Sequence, residues 1–286
     1  MSITPFQALA CPLDGDPLQR NGNAWRCAAG HSFDIAKQGH VNLLPVQQKR
    51  SGDPGDSKAM VAARQRFLDA EHYQPIADAL SQAVLKSFPT DATLSCLDAG
   101  CGEGYYLRAL AKAASEEQAL ALAGLDISKW AILAAAKQDK GASWLVGSNA
   151  NLPVQPGTLD RLLCMFGFPV YSEFARVLKP GGMLLQVDAG PDHLRELREI
   201  IYPTLKPERT REFQMPQGFT RLHTETIRYP LELNGADSIA DLLAMTPHLY
   251  RASAEGRAEA ASLESLVVTV DVRLVHFSRN TQQAEC

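Results

Sequence analysis

The sequence predicts an α/β protein: a doubly wound, mostly parallel sheet preceded by a small N-terminal β module. Strand-like and helix-like patterns alternate between residues 94 and 187, as in βαβ units. A glycine-rich turn, Gly100-Cys-Gly-Glu-Gly104, falls between the first of those strands and the helix that follows. The first 44 residues are short apolar pieces broken by Gly, Asn and Asp with no helical period, which fits a β-ribbon.

Taken in order, residues 1–44 form the ribbon, which has too little core to fold alone. Residues 45–57 (PVQQKRSGDPGDS) are polar, basic and punctuated by Pro and Gly, so they read as a linker ending in an N-cap at Ser57. The main domain, 58–286, opens with helices over 58–70 and 74–88, Pro75 being acceptable in a first turn. Then come a strand (94–98), a helix (105–115), a strand (119–126), a helix (128–137) and a short strand (143–146). A strand over 161–166, a helix ending near Leu178, a turn at Lys179-Pro-Gly-Gly182 and a strand over 183–187 complete the alternation. The tail adds an extended segment (220–233), a helix (238–245) and a long alternating strand (266–277) with Asp271 and Arg273 on one face.

At 286 residues, 45% apolar and 21% charged, the chain can bury a core, which excludes a mainly disordered or fibrous protein. The net charge of −4 argues against attachment to nucleic acid by bulk positive charge. Residues 1–66, however, carry eight Lys or Arg against five Asp, a local +3 that leaves −7 for the rest. Met1 to Ala10 lacks a basic and apolar leader pattern, and no stretch approaches about 18 apolar residues, so a cytoplasmic protein with no membrane partner is expected. The six cysteines are scattered, which suggests free thiols or metal ligands rather than disulfides.

Gly100, Gly102 and Gly104 let the backbone turn sharply and approach a ligand, and the following helix would aim its free N–H groups at an anionic group. The spacing is G-x-G-x-G, preceded by Asp98, where a dinucleotide site wants G-x-G-x-x-G; the closer spacing favours S-adenosylmethionine. Asp126, at the end of the next strand, can accept from ribose hydroxyls in either ligand, and a helix N-cap is its plainer role. A nicotinamide dehydrogenase therefore stays open. A Pro-Cys pair or an Asn/Asp-Pro-Pro-aromatic clamp, which some methyl transfers to pyrimidine carbons or exocyclic amines use, is absent from Cys164-Met-Phe-Gly-Phe-Pro-Val170.

Cys11-Pro-Leu-Asp14, twelve further residues and Cys27-Ala-Ala-Gly-His31 offer two turns with two ligands each, the usual way to build a tetrahedral zinc site. Asp14 stands where a cysteine is usual; its oxygen is an acceptable but harder ligand. The alternative is a metal-free ribbon held by Trp25, Phe33 and Val41.

Together these motifs resemble the bacterial 23S rRNA (guanine-N1)-methyltransferase family over nearly the whole chain. The resemblance rests on Cys11 with Cys27-x-x-x-His31, Gly39-x-Val-Asn-Leu-Leu-Pro-Val46, Lys49-Arg-Ser-x-Asp-Pro-Gly-Asp-Ser57, Phe67-Leu-Asp-Ala70, His72-Tyr-Gln-Pro75, the glycine turn, Arg176-Val-Leu-Lys-Pro-Gly-Gly182, Gly190-Pro-x-His-Leu194 and Met245-Thr-Pro247. It implies a zinc-ribbon-like RNA-recognition module joined to a Rossmann-like class I methyltransferase sheet. It also implies that Tyr73, Glu103, Gly104 and His193 contact S-adenosylmethionine, joining Asp98, Gly100, Gly102 and Asp126. The partner it implies is a 23S rRNA hairpin whose phosphates face Lys49, Arg50, Arg64 and Arg66; a homodimer stays open. Phe166, Phe168 and Tyr106 are the aromatic candidates for stacking on the target base, and no residue stands out as its base catalyst. Asp14 and the loop Met165-Phe-Gly-Phe168 depart from the family pattern. A methyltransferase for another RNA or a small molecule, or an inactive cofactor- and RNA-binding protein, are the alternatives.

Overall fold

The computed structural model describes residues 2–48, 52–86, 88–204, 215–248 and 251–281. The N-terminal strands are β1 (Ser2–Pro5), β2 (Gln19–Asn21), β3 (Ala24–Arg26), β4 (Ser32–Asp34) and β5 (Val41–Asn42). Helices α1 (Lys58–Asp69) and α2 (Gln74–Leu85) follow, the first capped by the Ser57 hydroxyl, which accepts from Met60 N. The alternating segment is β6 (Thr93–Ala99), α3 (Tyr105–Ala113), β7 (Ala119–Asp126), α4 (Lys129–Gln138), β8 (Ser143–Val146), β9 (Leu159–Met165), α5 (Tyr171–Val177) and β10 (Leu178–Ala189). The tail comprises α6 (Arg195–Ile201), β11 (Phe219–Asn234), α7 (Ala236–Met245), α8 (Ala254–Ala261) and β12 (Ser265–Arg279).

The large sheet has the order β11-β12-β10-β9-β6-β7-β8-β5. Its centre is parallel, and β12 runs antiparallel between β10 and β11. The residues before the linker serve two sheets. β2, β3 and β4 form the ribbon, while β1 lies parallel to the first half of β7 and β5 extends the sheet beyond β8. Neither β1 nor β5 was legible in the sequence, because each is short and its partner lies about a hundred residues away.

Alternating strand residues divide the core. Cys96 faces a cluster built with Phe67, Ile76, Leu80, Leu107, Ile132, Leu197 and Leu242 from the helices, whereas Leu97 faces one built with Leu9, Trp25 and Val41 of the N-terminal segment and Phe174 of α5. The ribbon thus packs on one face of the sheet. One expectation changes, and one helix was not foreseen. Lys179-Pro-Gly-Gly182 is not a separate turn but a bulge inside β10, where the register shifts between Leu178 and Met183 and a Cβ on Gly182 would lie 2.8 Å from Lys179 O. The helix α8 lacks an apolar stripe; it docks through Gly256, whose Cα lies against the Ile201 backbone, and Ala260.

Candidate active site and metal knuckle

The three glycines after β6 all have left-handed backbones, with φ of 96° at Gly100, 56° at Gly102 and 83° at Gly104. Gly104 starts α3 against the Trp144 ring, where an added Cβ would sit 2.9 Å from Cζ3; at Gly100 an added Cβ would meet none of the described residues within 4 Å. The loop is tied to β7 by Gly100 N and Cys101 N, which donate to Leu125 O at 2.8 and 3.0 Å. Asp126 accepts from Gly102 N (3.0 Å) and Ser128 N (2.8 Å), while Ser128, not Asp126, caps α4 by accepting from Ala131 N.

Asp98 is fully buried and neither carboxylate oxygen has a hydrogen-bond partner among the described residues. Burial, with Asp126 and Glu103 nearby, pushes its carboxyl up to about 8. Glu103 is also buried, with Oε1 unpartnered among the described residues; burial raises it, and Arg64 and Arg108 partly offset that. Such unpaired buried carboxyls are costly unless a ligand completes them. Three carboxyls around an open glycine suit a cationic ligand end, such as the ammonium and sulfonium of S-adenosylmethionine.

A second wall converges from distant segments. Tyr73 Oη lies 3.4 Å from His193 Nε2, and His193 Nδ1 accepts from Asp271 N at 3.3 Å. The imidazole proton is therefore on Nε2, aimed at Tyr73, and burial lowers the ring to about 4, so it is neutral at pH 7. Phe166 stacks on His193 at 5.8 Å, and Phe67 meets Tyr73 edge-on at 5.1 Å. Among the described residues, positive φ at non-glycine positions occurs at Glu71, Phe166 and Leu194. All three belong to this wall: Glu71 precedes Tyr73 by two residues and Leu194 adjoins His193. Strain concentrated in this way marks a site the surrounding fold is holding in shape.

The loop after β9 carries Phe166, 39% exposed, and Phe168, 89% exposed. Gly167 packs on Cys164 Sγ and Ala99 O, and the Asn149 amide donates to Ala99 O (3.4 Å) and Phe168 O (3.3 Å). This joins the loop to the end of β6. Tyr106, the third stacking candidate, is instead buried against Tyr105 in the core. Arg64 and Arg66 also depart from expectation: rather than facing outward unpaired, they bond Asp56 and Asp241. Lys49 and Arg50 lie outside the described residues.

In the ribbon, Cys11, Asp14, Cys27 and His31 bring one ligand atom each within 4.8 Å of one another. His31 Nδ1 lies 2.8 Å from Asp14 Oδ2, 3.4 Å from Cys27 Sγ and 3.5 Å from Cys11 Sγ. Tetrahedral zinc bonds of about 2.0–2.3 Å place ligand atoms about 3.3–3.8 Å apart, so the cluster fits that ion with little movement. The Asp16 N–H donates to Asp14 Oδ1 and holds the carboxyl well below its usual range, leaving Oδ2 ionised toward the cluster. Asp14 thus completes a cluster of four ligand atoms, and the donor set is compatible with zinc.

Two family models match the chain: the RlmA N-terminal zinc ribbon over residues 9–52 and a methyltransferase domain over residues 96–182. A provisionally named 23S rRNA (guanine-N(1)-)-methyltransferase of Micromonospora griseorubida is 34% identical over 94% of this chain and 96% of its own length. The chain belongs to the 23S rRNA (guanine-N1)-methyltransferase family. A provisionally named member from Bacillus subtilis is 31% identical with the same coverages, and the 23S rRNA (guanine(748)-N(1))-methyltransferase of Streptomyces fradiae is 33% identical over 84% of each chain. The chain has a methyltransferase domain, and the cofactor this family implies is S-adenosylmethionine, matching the acidic loop. No described helix is long and apolar enough to cross a membrane. Sequence reasoning missed Asn149, Trp144 and the linker acids Asp53 and Asp56. A readable signal existed for the last two: Asp-Pro-Gly-Asp is a turn-forming string.

Proposed function

We propose that the chain methylates N1 of a guanine in a 23S rRNA hairpin, with residues 1–44 as RNA-recognition module, 45–57 as linker and 58–286 as catalytic domain. One observation supports this most directly. The loop after β8 holds the acceptor loop through Asn149, and two residues later Asn151 Nδ2 donates to Pro12 O in the metal knuckle at 3.1 Å. RNA gripped by the ribbon is therefore presented beside Phe168, whose exposed ring suits stacking on an unpaired base.

S-adenosylmethionine, when bound, supplies a methyl already activated by the sulfonium. The protein's work is then positioning, which can supply several kcal/mol of barrier reduction. Gly100 and Gly102 expose backbone, Asp98 and Glu103 receive cationic groups, and Asp126 is oriented by two N–H donors to accept from the ribose. Glu103, Gly104, Tyr73 and His193 close the methionine side. We place the protein in the cytoplasm; whether it pairs with a second copy is read from its mass in solution.

The test is gene deletion followed by mass-spectrometric mapping of 23S rRNA. Loss of one guanine-N1 methyl, restored by the wild-type gene, is the expected result. Survival of every such mark overturns the proposal, and loss of a different methyl assigns the Phe166–Phe168 loop to another acceptor.

A further inference from the structure

We propose that Arg64 is the latch of a strap, residues 52–57, which walls the nucleoside end of the cofactor pocket; this rests on the cofactor site described above. Arg64 was read from sequence as a phosphate contact. Instead its Nη2 sits 2.5 Å from Asp56 Oδ2 and donates to Met245 O at 3.2 Å, with the side chain against Gly102. It lies close enough to Glu103 and Asp126 to feel both charges. One guanidinium thus joins the linker, the glycine loop and the end of α7.

The strap is seated along its length. Asp53 accepts from Trp130 Nε1 at 2.8 Å and pairs with Lys129 Nζ at 3.1 Å. Gly55 has φ of +83°, and a Cβ there would meet Ile127 Cγ2 at 2.8 Å and Ser128 N at 2.9 Å. Asp56 O accepts from Ser128 Oγ at 2.7 Å. Between strap and sheet remains a small pocket lined by Leu44, Asp53, Pro54, Ile127 and Val146. It lies at the C-terminal ends of β7 and β8, next to the ribose acceptor Asp126, where a flat heterocycle attached to that ribose would enter. The strap borders this pocket on one side and the Arg64 ion pair on the other, so its seating and the cofactor's would be coupled.

Arg64 acts through Asp56 and is a positioning residue. A lysine retains the charge but lacks the second guanidinium nitrogen, Nη1, that lies against Gly102. Full-length Arg64→Gln, Asp56→Asn, the double variant and Arg64→Lys are titrated calorimetrically with S-adenosylhomocysteine, and amide hydrogen exchange is followed over 52–57. Each single loss is expected to weaken binding about tenfold and speed strap exchange, the double to be no worse than the poorer single, and lysine to restore part. Asp56→Asn alters only the linker side and guards against an unfolded Arg64 variant. Unchanged binding and exchange in Asp56→Asn, or losses that multiply in the double variant, overturn the latch. If the wild type binds no S-adenosylhomocysteine, the cofactor reading itself fails. Strap exchange then decides the latch alone: faster in both single variants keeps it, unchanged overturns it.

Discussion

Gly100 and Gly104 share a left-handed backbone but not a neighbourhood, and alanine at each should therefore fail differently. Their φ values are 96° and 83°, and forcing an L-residue there costs roughly 1–2 kcal/mol at either site. At Gly100 the new methyl meets none of the described residues within 4 Å, so that strain is the whole cost to the fold. At Gly104 it meets Trp144 at 2.9 and 3.2 Å from Cζ3 and Cζ2. That indole is fully buried and pinned by Nε1 donating to Asp139 O at 2.9 Å, so it cannot turn aside. Overpacking of this kind adds about 1–3 kcal/mol, giving roughly 2–5 kcal/mol for Gly104→Ala. The open space at Gly100 is, in this account, where the ligand lies, so Gly100→Ala should keep most stability and lose at least about tenfold in affinity. Urea denaturation and calorimetry with S-adenosylhomocysteine read the two quantities. Wild-type affinity in Gly100→Ala, or a Gly104→Ala protein as stable as Gly100→Ala, refutes the reasoning.

Three further outcomes are expected. His193 is lowered from 6.5 to about 4 by burial, so the stability it contributes is present above pH 6.5 and is lost as pH falls toward 4; His193→Gln should flatten that limb of the denaturation profile, worth about 3 kcal/mol at most. Asp98, raised to about 8, is mostly protonated at pH 7, and a cationic ligand that draws it back to the carboxylate releases close to one proton. Calorimetry with S-adenosylmethionine in buffers of different ionisation enthalpy should show that release, and Asp98→Asn should abolish it. Asp14→Cys replaces a hard ligand by a soft one and should tighten zinc, measured by competition with a chelator; equal or weaker retention would falsify the assignment of Asp14 to the site.

What the sequence made legible was whatever a local rule encodes. β7 and β8 begin and end where the alternation of strand and helix patterns said they would, and the glycine loop announced itself because glycine best serves three left-handed demands within five residues. Cys11, Asp14, Cys27 and His31 were legible from spacing, since each turn needs only its own few residues to aim two ligands. The wall of the site was different. Tyr73, Phe166 and His193 meet across 120 residues of chain, and no periodicity specifies that meeting; the resemblance to a family suggested Tyr73 and His193 as cofactor contacts, and geometry explained the convergence.

Charge was the least legible quantity, because a sequence shows a cation without its partner. The +3 of residues 1–66 counts Arg64 and Arg66, and the fold commits both to carboxylates, Asp56 at 2.5 Å and Asp241 at 2.5 Å. Arg66 is exposed and its pair is worth little, but Arg64 is held among Asp56, Glu103 and Asp126 and has no charge to spare for phosphate. Among the described residues of the front segment, the other exposed cations are Arg20, Arg26 and Lys37 before the linker and Lys58 on α1. Phosphate contacts fix register and base contacts give specificity. On the proposed function the ribbon's cations would take the phosphate contacts and the loop at Phe168 the base, with Asn149 and Asn151 linking the two through Phe168 O and Pro12 O. It follows that neutralising Arg20 and Arg26 should weaken RNA binding and its salt dependence while leaving S-adenosylhomocysteine affinity unchanged, the reverse of Arg64→Gln.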